Sequence, residues 1–271
     1  MFAYKNNNRS SDAHLCAISM IKSYTGALCI STNTSLSERI TANFTKDFKI
    51  MLLRNEPMEK ALFINELLDT FKLSITDKNR SLMFDSFSDI SYLISNFEIN
   101  VLSMMNKAVY TELSNDFINM MLNKNTFCTG SISPKREAIF LSSFLKIQNL
   151  TKIEIDSKKL HAFTEHVIDG EIRLISIGAS DPIIPINLIS RILLSNQELF
   201  EKIDENKKIK LINESILLII DLHVNGIINN LNLDDISNNI NSIDKRIYNL
   251  IKKEHILKLN KFNLNASLKL Q

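Results

Sequence analysis

The run Lys207-Lys-Ile-Lys-Leu-Ile-Asn-Glu-Ser-Ile-Leu-Leu-Ile-Ile-Asp-Leu-His-Val224 decides the fold class. Ile209, Ile212, Ile216, Ile219 and Ile220 recur at spacings of three and four, which puts them on one side of a helix and not on alternate faces of a strand. Gly226 follows, and glycine enters the left-handed backbone region readily, so the helix is expected to end there.

Working outward, the same period recurs. Pro57 suits a helix start, and Met58, Ala61, Leu62, Leu68 and Phe71 share one face to about Lys72. Further helices are predicted over 11–23, 85–97, 99–122, 136–147, 187–194 and 197–203. Five Gly and four Pro in 271 residues are few turn formers for a protein of many hairpins. The expected fold is therefore mainly α.

Two places read differently. Ala27 to Ser31 suggests a short strand. Leu150, Ile153 and Ile155, then Ile172, Leu174 and Ile177, lie in short runs around Asp169-Gly170 and predict a small β-containing segment near 150–178, closed by Pro182 and Pro185. Thr126 to Lys135, with Gly130 and Pro134, is the best internal boundary. The expected organisation is a disordered polar opening over 1–10, a helical region over 11–130, a mixed α/β and helical region over 131–224, and a separate segment over 225–271.

Composition excludes several classes. The longest purely aliphatic run, Ile216 to Ile220, is far short of the roughly 20 residues that cross a bilayer, so no membrane span is expected. Leu15 to Ser31 is interrupted by Lys22 and lacks a small-residue cleavage site, unlike a Sec leader. Cys16, Cys29 and Cys128 are odd in number and lack CxxC spacing, so neither a disulfide framework nor a zinc site is expected. A reducing, cytoplasmic setting fits. The polar Lys5-Asn-Asn-Asn-Arg-Ser-Ser11 opening also fits a protein exported by a needle-type secretion system.

Catalytic groupings are sparse. Cys128 with His161 or His166, backed by Asp169 or Glu171, supplies the residue types of a thiol hydrolase, in which imidazole activates the thiol and a carboxylate orients the ring. This is the enzymatic version of an alternative reading, a secreted effector or helical adaptor acting on another protein. His161 and His166 are five apart, which does not align two ligands on a helix, and no metal is expected. Gly178-Ala-Ser-Asp181 lacks the second glycine of a nucleophile elbow and runs into Pro182, so it reads as a polar turn. No phosphate loop, dinucleotide fingerprint or calcium loop occurs, and no cofactor is expected.

The C-terminal segment has the outline of a helix-turn-helix. Leu233, Ile236 and Ile240 form one apolar stripe, Ser237 is small enough for a crossing, and Asn241 suits a turn. Ile247, Leu250 and Ile251 then form the inner face of a second helix, and Lys245, Arg246, Asn249 and Lys252 form its outer face. From residue 231 onward seven basic residues face four acidic ones, a local balance of +3 in a chain whose total is +2. A basic end on a near-neutral body suits a polyanionic partner.

The run Leu233-Asp-Asp-Ile-Ser-Asn-Asn-Ile240, with Ile247, Ile251, Lys252 and Glu254, resembles the first helix-turn-helix of AraC-type transcriptional activators, especially those of enterobacterial virulence plasmids. Leu222, Ile227 and Leu231 sit where that family places the preceding helix. Three departures stand beside it. Ile243 replaces a common serine, the stretch to Gln271 is too short for the family's second helix-turn-helix, and the N-terminal half does not read as a small β-barrel. The resemblance implies a cytoplasmic regulator of bacterial genes. Its DNA contacts would be Lys245, Lys252 and Lys253 to phosphates and Arg246 and Asn249 to base edges, with the body serving homo-oligomerisation or a protein partner.

Overall fold

A computed structural model describes residues 4–31, 34–53, 56–123, 134–179, 181, 183–224, 251, 253 and 257. They form eleven α-helices, and among the described residues there is no strand. The chain divides into two compact units, Met1–Lys159 and Leu160–Gln271. The boundary expected in Thr126 to Lys135 thus falls inside the first unit, and residues 124–133 lie outside the described set.

The first unit holds α1 (Tyr4–Cys29), α2 (Thr34–Leu52), α3 (Pro57–Ser74), α4 (Arg80–Ser95), α5 (Ile99–Ser103), α6 (Lys107–Leu122) and α7 (Pro134–Thr151). At its centre is α4, which packs most extensively on α7 and also against α2 and α1. Its burial is nearly all-round: Phe84, Phe87, Ile90 and Ile94 are joined inside by Ser86, Ser88, Ser91 and Ser95. Small hydroxyls let neighbouring helices approach and can be satisfied locally. Ser95 Oγ donates to the Tyr92 carbonyl at 2.8 Å, and Thr41 on α2 donates to Ser86 Oγ at 3.0 Å.

Aromatic rings fill the space between α3, α4, α6 and α7. The Phe87 ring centroid lies 5.7 Å from Phe140, 5.8 Å from Phe71, 5.9 Å from Tyr110, 6.2 Å from Phe84 and 6.4 Å from Phe117. These are the offset and edge-on separations that aromatic pairs prefer.

The chain then continues into α8 (Ser157–Ser176), α9 (Ile183–Ser195), α10 (Gln197–Lys202) and α11 (Glu205–Val224). In the second unit α9 packs against both α10 and α11. Of the stripe read from sequence on α11, Ile212, Ile216, Ile219 and Ile220 are buried and Ile209 is half-buried. Lys208 is buried beside them. Its ammonium donates to the Phe200 carbonyl at 3.2 Å, pairs with Glu205 at 2.8 Å and lies 4.5 Å from the Phe200 ring centroid, which joins the end of α10 to the start of α11.

Three expectations are corrected. The small β segment near 150–178 is absent: these residues are the end of α7, a connector at 152–156, helix α8 and a turn. Leu160, Phe163, Val167, Ile168, Ile172 and Ile175 recur at helical spacing and all are buried, so the period of 3.6 overrides the Asp169-Gly170 turn signal. Asp156 starts the helix by accepting from the Lys159 N–H at 2.8 Å. The second correction is the strand at Ala27 to Ser31, since α1 runs through Cys29 and closes with Ser31 N–H on the Leu28 carbonyl at 3.1 Å. Third, α1 begins at Tyr4, so residues 4–10 of the opening expected to be disordered are helical.

Two helix ends use the left-handed region. Gly178, at φ 67°, follows α8, and its N–H donates to the Ile175 carbonyl while the Ala179 N–H donates to that of Leu174, both at 2.9 Å. That pair of bonds is a Schellman cap, which explains why Gly178-Ala179 reads as a turn. Lys152, at φ 58°, ends α7 with its N–H on the Gln148 carbonyl at 2.8 Å. A side chain at positive φ costs about 1 kcal/mol. Lys152→Gly is therefore expected to raise stability by roughly that amount and Gly178→Ala to lower it, shifts of opposite sign that parallel urea titrations would read.

Candidate functional site

Of the residues assigned to DNA contact, Lys245, Arg246, Asn249 and Lys252 lie outside the described set, as does the whole of Leu233 to Leu250. Lys253 is helical and exposed. Ile251 sits on a bend and is 6% exposed.

Cys128 also lies outside the described residues. His161, on α8, is engaged within the second unit: its Nε2 is 3.2 Å from the Lys202 carbonyl and 3.8 Å from Glu165 Oε1. A carbonyl only accepts, so Nε2 carries the proton in this bond. The bond caps the C-terminal end of α10, where free carbonyls favour a donor. His166 lies 6.4 Å from the Phe163 ring, centroid to centroid, and Glu171 is fully buried.

Two carboxylates of α8 hold a lysine of α11. Lys207, in the first turn of α11, donates to Glu165 Oε2 at 2.5 Å and to Asp169 at 2.9 Å, and the Asp204 N–H adds a 3.3 Å bond to Glu165 Oε1. Burial pulls the Lys207 ammonium down, but its hydrogen bonds to Glu165 and Asp169 outweigh this and hold its pKa above the usual lysine value. Asp169, the candidate orienting carboxylate of a thiol hydrolase, is thus committed to tying α8 to α11. Neither Lys207 nor Lys208 stands out in sequence, because the partners of Lys207 are 38 and 42 positions away.

A dense charged cluster lies in the first unit, where spacing carries no signal of it. Arg136, in the first turn of α7 and with its side chain 12% exposed, meets carboxylates from two other helices. Glu38 of α2 is at 3.3 Å, Asp85 of α4 at 3.9 Å, and Asp89 of α4 forms a direct hydrogen bond. Burial opposes the Arg136 charge, yet Asp89, Asp85 and Glu38 together raise its pKa further. One guanidinium among three carboxylates leaves a surplus of negative charge. Burial, partly offset by Arg136 and reinforced by Glu38 and Asp89, lifts Asp85 to about 6.

The sign of the resulting pH dependence follows. A carboxyl whose folded pKa is raised takes up its proton more readily in the folded than in the unfolded state, so between pH 4 and 6, approximately, stability falls as pH rises. Asn imitates the protonated group. Asp85→Asn is expected to be more stable than the parent by about 1–2 kcal/mol at pH 7.5, after discounting for partial solvent access, with the gap closing by about pH 4.5. Denaturant titrations at both pH values check this, and a gap independent of pH contradicts it.

Among the described residues no group of three or more His, Cys, Asp and Glu side chains is arranged to hold a metal ion, and no helix is long and apolar enough to cross a membrane. Comparison with protein-family models, with curated proteins and with solved structures finds no match in any of the three.

Proposed function

We propose that the chain is a DNA-binding regulator of bacterial genes, with residues 225–271 meeting the duplex and helices α1 to α11 forming the body. One observation carries the reading: positive charge is concentrated beyond residue 231, +3 in a chain of +2 overall, on a segment patterned as two short helices. The buried Ile251 and exposed Lys253 support it, because a recognition module needs an apolar inner face beside a cationic outer one. Lys245, Lys252 and Lys253 would neutralise phosphates and fix the register. Arg246 and Asn249 have the donors and acceptors that read guanine and adenine edges.

The test is fluorescence anisotropy on a labelled mixed-sequence duplex. The full chain carrying Lys245→Ala, Lys252→Ala and Lys253→Ala together is expected to bind at least about tenfold more weakly than the parent, on all sequences alike. Arg246→Ala or Asn249→Ala is expected to relax sequence preference in a selection from randomised duplexes while retaining most affinity. Parent affinity in the triple variant would refute the proposal.

A further inference from the structure

Within the first unit the C-terminal ends of α2 and α4 meet the first turn of α3 around a depression of about 310 Å³. Its floor is Leu93, which is 1% exposed, and Phe97 forms a half-buried wall. Leu53 stands at the rim, 80% exposed, and the nearby Ile50 of α2 is exposed as well. Large apolar side chains gathered in the open around a concave apolar floor mark a surface with something to cover it.

Charge at the rim says what kind of cover. Lys49 and Lys60 both line the depression, and among the described residues neither forms an ion pair. Lys49 Nζ lies 5.8 Å from the Tyr92 ring centroid, a contact that orients the ammonium without neutralising it. Glu98 is the one carboxylate among the lining residues. Two cations against one anion, beside an apolar trough, complement a molecule with a hydrocarbon part and a negative head.

We infer that this depression binds a single-chain anionic amphiphile, an aliphatic carboxylate of fatty-acid type, with its chain over Leu93 and Phe97 and its head between Lys49 and Lys60. The volume is at the lower end of the roughly 300–1,000 Å³ range of ligand pockets, which suits one short acyl chain better than a two-chain lipid. The site rests on residues of the first unit alone. It stands or falls separately from DNA binding by the C-terminal segment.

Isothermal titration of the full chain tests it, using decanoate below its micellar concentration beside 1-decanol and decyltrimethylammonium. Decanoate is expected to saturate one site, with the cationic analogue at least about tenfold weaker. The full chain carrying Lys49→Gln and Lys60→Gln is expected to lose about tenfold for decanoate and nothing for decanol, since both lysines act on the head alone. Leu53→Asp, at an exposed position that folding does not need, is expected to weaken decanoate and decanol together. Absence of saturable binding, equal affinity for the cationic analogue, or an unchanged double variant would each overturn the proposal. So would flotation of the chain with phosphatidylglycerol vesicles in a lysine-dependent manner without binding of monomeric decanoate, which would assign the patch to a lipid surface instead.

Discussion

Arg136→Ala is expected to destabilise the protein by about 3 kcal/mol at pH 7.5, the low end of the range for breaking a buried ion pair. The loss is less that of an attraction than of the one positive charge that, among the described residues, meets Glu38, Asp85 and Asp89 together. Glu38 and Asp89 have side chains 54% and 29% exposed and can recover hydration, whereas Asp85, at 6%, cannot. Most of the cost should therefore reside in Asp85. Two further results follow from that assignment. The loss should shrink at pH 5, where Asp85 takes up a proton, and Asp85→Asn in the Arg136→Ala background should restore a large part of the lost stability. Urea titrations of the four chains at two pH values measure all of this; a loss below about 1 kcal/mol, or no rescue, would show that the cluster is well solvated.

Phe87→Ala is expected to cost about 4 kcal/mol, within the range for removing a buried aromatic ring. Its neighbours come from α3, α6 and α7 as well as from α4 itself, and Phe71, Phe84, Tyr110, Phe117 and Phe140 are all fully buried. With four helices lining it, the space left behind can collapse little, so the cavity contribution adds to the lost transfer energy. Phe87→Leu keeps most of the volume and should cost less than half as much. An alanine variant within about 1 kcal/mol of the parent would mean that α4 is not the centre of the first unit.

These two residues also show what the sequence conceals. The helical period of α11 was plain, because its apolar stripe is long and continuous and its period decides between helix and strand without knowledge of any partner. The start of α3 was equally plain from Pro57. Helix α8 was misread as β-rich although Leu160, Phe163, Val167 and Ile172 keep helical spacing, since Asp169-Gly170 is a strong turn signal when taken alone. Burial of one whole face outweighs a glycine penalty of about 1 kcal/mol. The serines of α4 look like a solvated face until α7 and α2 are in place around them.

Sites assembled from distant residues were less visible still. Asp85 and Asp89 precede Arg136 by 51 and 47 positions, and neither spacing nor composition joins them. The same holds for Lys49, Lys60 and Leu93, which the turns after α2 and α4 bring to one depression. By contrast the C-terminal segment is local in sequence, so its pattern could be read before any fold was known. Of the residues given to its inner face or to DNA contact, Ile251 and Lys253 are described.

The central claim is that this segment meets DNA through its lysines, and the salt dependence of binding addresses it most directly. Three phosphate contacts, from Lys245, Lys252 and Lys253, predict that log K falls with log salt at a slope of about −2.7, so that a rise from 50 to 200 mM weakens binding by about 40-fold. The full chain titrated into a labelled duplex across that range should give this slope or a steeper one. A slope near zero, or no binding at the lowest salt, would contradict the account.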